Sequence, residues 1–275
     1  MSDEHEYKQS EQEFIFGRNV ILSFLEQVNQ SDIISHSPGQ LDKIFLAQGL
    51  QFDRRIEKIK QLAREQSVPI IVCEKPQLDK LAGMQARHQG IVARLSQAKT
   101  LSLSEFLNSL SDSINREKNI PNMLVAIADG IQDPHNLGAL MRVAQASGAK
   151  GLIMSHRRSA GTTGTVAKAS AGAMAYLPIV KVKNIVSAIE ELKKFGFWIA
   201  GLDAEGKENF FAHDLRLPLA IVVGGEGKGL SRLVAERCDF LLRIPMSTNS
   251  ESLNAAVAAG IVFYEYVRQN LCEEK

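Results

Sequence analysis

The chain has 275 residues, 45% of them hydrophobic and 23% charged, and its 32 Lys and Arg against 31 Asp and Glu leave a formal net charge of +1. That length fits one large or two ordinary domains with real apolar cores. The even charge balance does not advertise a nucleic-acid binder, although a local basic patch would be enough for one.

The N-terminal MSDEHEYKQSEQE lacks the charged start and apolar core of a signal peptide and reads as a short disordered tail over 1–13. Cys73, Cys238 and Cys272 are odd in number and widely spaced, with no C-x-x-C pair. Neither a disulfide framework nor a zinc site is supported, which fits a cytoplasmic protein without a metal. No apolar run approaches the roughly 20 residues that span a bilayer, so no membrane partner is expected.

Residues 14–96 read as a small α/β unit. FGRNVILSFLE (Phe16–Glu26) has helical spacing, with Val20, Ile21, Phe24 and Leu25 on one face. KIFLA (Lys43–Ala47) is a short strand. FDRRIEKIKQLAREQ (Phe52–Gln66) is a helix with Phe52, Ile56, Ile59 and Leu62 inward and a charged outer face. VPIIVC (Val68–Cys73) and GIVARLS (Gly90–Ser96) are strands. Residues 97–122, rich in Ser and Asn with one weak helix over Leu103–Leu110, read as a linker between two domains.

From Met123 to the C-terminus at 275 the pattern alternates. Strands are expected at Met123–Asp129, Gly151–Ser155, Leu177–Val182, Phe197–Leu202, Leu219–Gly225 and Phe240–Met246. Helices are expected at Leu137–Ser147, Val166–Ala175, Ile185–Phe195 and Leu253–Asn270. Continuous apolar strands alternating with helices predict an α/β fold with a mostly parallel sheet covered on both faces.

Three segments of this half concentrate polar residues where strands run into loops. In ADGIQDPHNLGALMRVAQASGA, Asn136 stands where a helix N-cap belongs and Gly148 where the helix should stop. Asn136 could be only a cap. Arg142 has Gly138, Ala139, Gln145 and Ala146 as its helical neighbours, which would leave its guanidinium accessible, although a plain surface arginine fits equally. In IVVGGEGKGLS the glycines fit neither the P-loop nor the Rossmann fingerprint, so nucleoside triphosphate and NAD readings lose their main support. What remains is open backbone at a strand's C-terminal end, where open α/β sheets bind ligands, with Glu226 unshielded among the glycines. In IPMSTNSESLNAAVAAGIVFYE, Ser252 is a good N-cap, Asn254 sits in the first helical turn, and the alanines after it suit close packing or a subunit interface.

These segments resemble the three signature motifs of the SpoU (TrmH-type) branch of the SPOUT RNA methyltransferases, and FGRNVILSFL and RHQGIVA (Arg87–Ala93) resemble that family's N-terminal RNA-binding domain. The resemblance implies a trefoil-knotted catalytic domain over 123–275, a ribosomal-protein-like domain over 14–96, and a homodimer through the last helix. It implies methyl transfer from S-adenosylmethionine to a ribose 2′-hydroxyl. DPHNLGA, VAKASAGA and IPM…SLN point within the family to enzymes that modify a guanosine of 23S rRNA. A tRNA ribose methyltransferase of the same family and an RNA-binding protein without catalysis are the alternatives. By the same resemblance Asn136, Arg142, Glu226, Ser252 and Asn254 are the catalytic set. Gly224, Ile244 and Leu253 hold the cofactor, with Met246 and Leu202 as weaker neighbours. RNA is expected on the N-terminal domain, including Arg18, and on the basic loop carrying Arg157, Arg158 and Lys168. Arg142 is expected to meet the phosphate and ribose, with Glu226 orienting it by pairing.

Overall fold

The computed structural model describes residues 14–28, 41–83, 86–95, 100–117, 123–156, 166, 169–170, 173, 176–227, 229–247 and 252–271. The first unit contains β1 (Phe14–Phe16), α1 (Arg18–Val28), β2 (Leu41–Ala47), α2 (Arg54–Glu65), β3 (Ile70–Cys73), α3 (Lys75–Ala82) and β4 (Ile91–Leu95). Its four strands lie in the order β1-β4-β2-β3, with only the β2–β3 pair parallel. Helices α1 and α2 pack together through Ile21, Phe24 and Leu25 on one side and Ile56, Ile59 and Leu62 on the other, as their spacing predicts. Asp53 starts α2 by accepting the Arg55 N–H. The expected inward position of Phe52 is wrong: it precedes the cap, outside the helical repeat, and is 82% exposed.

The linker reading of 97–122 also needs correction. Residues Leu103–Glu117 form α4, whose Leu103, Phe106 and Leu110 are buried. Leu101 forms a parallel bridge with Val180, and Phe106 packs so closely on Gly151 that a Cβ there would lie 2.7 Å from its ring. The stretch looked too polar because its solvent face supplies most of its letters; a few apolar residues anchor it to the second sheet.

That second unit continues with β5 (Leu124–Asp129), α5 (Pro134–Ala146), β6 (Leu152–Ser155), β7 (Ile179–Val182), α6 (Ile185–Phe195), β8 (Trp198–Leu202), β9 (Glu208–Asn209), a 3-10 turn (Phe210–Ala212), β10 (Leu219–Gly224), α7 (Arg232–Ala235), β11 (Phe240–Arg243) and α8 (Ala255–Leu271). The seven strands are ordered β7-β6-β5-β10-β8-β11-β9 and every neighbouring pair is parallel. Alternate residues of β5 serve opposite faces. Leu124, Ala126 and Ala128 join the α5 and α8 core, while Val125 and Ile127 join Phe106 of α4 and Ile189 of α6. Burial on both sides is why these strands read as unbroken apolar runs. The expected helix over 166–175 lies mostly outside the described residues; within it, Ser170 N–H bonds the Val166 carbonyl at 2.8 Å. Among the described residues no helix is long and apolar enough to cross a membrane.

The first unit's core is continuous with the α5–α8 side of the second. At that junction the Tyr176 hydroxyl hydrogen-bonds Ser23 of α1, and burial raises its pKa.

Candidate functional site

The C-terminal ends of β5, β10, β8 and β11 are adjacent, so the loops that follow them share one edge of the sheet. The loop after β5 leads into α5. Its N-cap is Asp133, not Asn136 as expected: Asp133 Oδ2 accepts the Asn136 N–H at 3.0 Å and Pro134 opens the helix. The Asp-Pro pair is the signal that marks this start, since a proline at the first helical position has no N–H to satisfy. Asn136 therefore stands inside the first turn with its side chain released from capping.

The helix after β11 is capped two positions later than expected. Asn254, not Ser252, accepts the N–H groups of Ala256 at 3.0 Å and Val257 at 3.3 Å. Those bonds fix which end of the amide is oxygen. The nitrogen then faces outward and donates twice, to Asn136 Oδ1 at 2.8 Å and to Glu226 Oε1 at 2.9 Å. One asparagine thus joins all three loops. Ser252 is exposed beside it.

The loop after β10 is held by its glycines. A Cβ on Gly224 would lie 2.2 Å from the Gly229 carbonyl carbon, and one on Gly225 would lie 2.6 Å from the Gly130 oxygen. Glycine is therefore demanded by the loop's own closure, and Gly227 and Gly229 add positive φ angles of 73° and 59°. Asp129, which the sequence reading left out of the site, ties two loops together: its carboxylate accepts the Ser231 N–H at 2.7 Å and its carbonyl the Gly225 N–H at 3.0 Å. An acid at the end of a central parallel strand, followed by glycine, was the available signal.

Arg142 is exposed and its side chain makes no hydrogen bond or ion pair among the described residues. It stands six residues beyond Asn136, roughly 9 Å along the helix axis. The expected pairing with Glu226 is absent; Glu226 takes its hydrogen bond from Asn254 instead. One of its small neighbours serves packing. Gly138 is buried, and a Cβ there would lie 2.4 Å from Ala169 Cβ, so it admits the Ala169–Ser170 backbone.

Of the residues expected to hold the cofactor, Leu202, Gly224 and Ile244 lie at or just beyond neighbouring strand ends. Leu202 ends β8 opposite Leu242 of β11, with Gly224 ending the neighbouring β10 and Ile244 just beyond β11. Leu202, Ile244 and Met246 are half-buried and Leu253 is 37% exposed. This apolar lip beside open backbone suits a flat, uncharged ring whose polar edge is read by main-chain groups. Behind it, burial pushes the Cys238 thiol up to about 12, so it stays protonated and is no nucleophile.

Arg157, Arg158 and Lys168 lie outside the described residues. Arg18 is engaged internally: its guanidinium donates to Asp53 at 2.5 Å and to the Gln89 carbonyl at 3.2 and 3.3 Å. It staples α1 to the turn before β4.

Residues 123–264 match the SpoU rRNA Methylase family. The chain belongs to that family of RNA methyltransferases. Residues 14–101 match the RNA 2′-O ribose methyltransferase substrate binding domain. A TrmH family tRNA/rRNA methyltransferase of Bacillus subtilis is 36% identical, covering 98% of this chain and 98% of its own length. A counterpart from Staphylococcus haemolyticus is 38% identical over 91% of this chain and 96% of its own. The SpoU methyltransferase AviRb from Streptomyces viridochromogenes, solved in complex with AdoMet, shares the fold at a TM-score of 0.75 and 22% identity, covering 98% of this chain and 94% of that one.

Proposed function

We propose that the protein transfers the methyl group of S-adenosylmethionine to the 2′-hydroxyl of a guanosine ribose in 23S rRNA, in the cytoplasm. The observation that carries this reading is the Asn254 junction, which draws Asn136 and Glu226 to one edge of the sheet beside the apolar lip. When bound, the cofactor supplies an electrophilic methyl on a sulfonium. Gly224, Ile244 and Leu253, with Leu202 and Met246, would hold it. The choice of guanosine and 23S rRNA rests on the words DPHNLGA, VAKASAGA and IPM…SLN.

The chain's own task is to position the ribose and manage the hydroxyl proton. Arg142 stands on the exposed face of α5. Its planar fork suits a phosphate and the developing alkoxide. Glu226 spends one oxygen on Asn254; the other has no partner among the described residues and is the acceptor available to a ribose hydroxyl. Asn136 has used its oxygen, so its two N–H groups are free to orient the nucleotide. Ser252 stands exposed at the mouth and can donate to the same ribose.

A homodimer belongs to this reading. Leu253, Val257, Ile261 and Tyr264 are exposed apolar residues in one row along and just before α8. A second copy of that row would cover it and bring a further arginine-bearing α5 near each site. Sedimentation as a monomer at micromolar concentration would contradict it. Labelled S-adenosylmethionine offered with 23S rRNA fragments and with tRNA, followed by mapping of the modified nucleotide, tests the substrate. Label confined to tRNA would defeat the rRNA choice, and label in neither would favour binding without catalysis.

A further inference from the structure

The outer face of α2 combines two features that folding does not explain. Phe52, just before the N-cap, leaves a whole phenyl ring in water. Arg54, Lys58, Gln61 and Arg64 follow at spacings of three and four and share one helical face. Together with Phe52, Glu57 and Lys60 they line an open groove of about 480 Å³.

The charges on this face are not equivalent. Lys58 is held by Glu26, and Lys60 by Glu57 at 2.8 Å. The side chains of Arg54 and Arg64 carry no ion pair or hydrogen bond among the described residues. They stand at the two ends of the helix, roughly 15 Å apart along its axis. An exposed arginine alone is ordinary. A bare aromatic face beside uncommitted guanidiniums is complementary to a particular chemistry: a base that stacks on the ring, with its flanking phosphates on the cations. The rest of the groove is charged or polar, which disfavours an apolar protein partner.

We propose that Phe52, Arg54 and Arg64 form a second contact site for the RNA substrate, where Phe52 stacks an unpaired base and the arginines hold the adjoining phosphates. This rests on the reading of RNA as the substrate. All three side chains are exposed, so substitutions should leave the fold intact.

The test is fluorescence anisotropy of the full chain with a short, fluorescein-labelled single-stranded RNA of mixed sequence. Phe52→Leu, which keeps an apolar group but removes the ring, should weaken binding at least about 5-fold, while Phe52→Tyr stays within about 2-fold. The double variant Arg54→Gln, Arg64→Gln should lower the slope of log affinity against log salt by about 1.4. Wild-type affinity in Phe52→Leu would overturn the proposal and assign the ring to a protein contact; an unchanged salt slope in the double variant would overturn the phosphate role. The outcome is separable from the functional reading. Ring-dependent binding with no methyl transfer by the wild type would defeat catalysis and leave this site standing. Methyl transfer indifferent to Phe52→Leu in both KM and kcat would do the reverse.

Discussion

Asn254 caps α8 with its side-chain oxygen and, with the nitrogen of the same amide, holds Glu226 at 2.9 Å. The two residues stand on different loops, so starting the last helix and aiming the carboxylate are one structural event. Because the same nitrogen also donates to Asn136 at 2.8 Å, a change at position 254 reaches all three loops.

Asn254→Asp separates the two roles. The aspartate keeps a capping acceptor, so the thermal midpoint should hold to within about 1 kcal/mol of wild-type stability. It places a like charge against Glu226 and removes the donor, so methyl transfer should fall roughly 10- to 100-fold. Equal activity in the two proteins would show that the junction only builds the helix.

Arg142→Ala should lower methyl transfer about 100- to 1,000-fold with S-adenosylmethionine affinity unchanged by calorimetry. Stability should stay within about 0.5 kcal/mol, since the exposed side chain has no partner to lose among the described residues. Arg142→Lys should recover only part of the rate, because an ammonium lacks the planar fork. A matching loss of cofactor affinity would place Arg142 at the cofactor instead.

Two helical glycines should respond oppositely to alanine. A Cβ at Gly138 would lie 2.4 Å from Ala169 Cβ and 2.8 Å from the Ser170 nitrogen, so Gly138→Ala should cost about 1–3 kcal/mol of stability in denaturant melts. At Gly260 the nearest atom is Val143 Cγ1 at 3.7 Å, an ordinary contact. Gly260→Ala should therefore stabilise by about 0.5–1 kcal/mol through helix propensity.

Acid should loosen the first unit through Asp53. The Arg55 backbone N–H, and after it the Arg18 guanidinium, hold the Asp53 carboxyl below its ordinary pKa. A lowered folded-state pKa adds stability that is complete above the unfolded-state value and is lost as pH falls through the folded one. Amide exchange in α2 should accelerate as pH drops below the ordinary carboxylate range, corrected for intrinsic rates. Asp53→Asn should flatten that dependence.

Much of the architecture was legible in the residues. Ile185–Phe195 runs as the spacing predicts, between Asn184 as its cap and Gly196 in the left-handed region at φ 108°. The expected strands fall where the apolar runs are, all but one shorter by one to three residues; the exception, Lys43–Ala47, starts two residues earlier at Leu41. The caps were misplaced, since Asn, Ser and Asp within three positions of one another compete for the same N–H groups and only the backbone path chooses among them. Phe52 was misread for a related reason: periodicity carried past the cap no longer describes a helix.

Period and punctuation are properties of neighbouring residues, so the sequence by itself determined the α/β order, the buried faces and the glycines at the turns. It could not determine which loop ends meet. Asn254 finds Asn136 across 118 positions of chain only because β5 and β11 belong to one parallel sheet whose strand order is not the chain order. The same holds for Glu226, whose expected pairing with Arg142 gives way to the Asn254 amide. Those relations depend on how separately formed elements pack, and tertiary structure alone decided them.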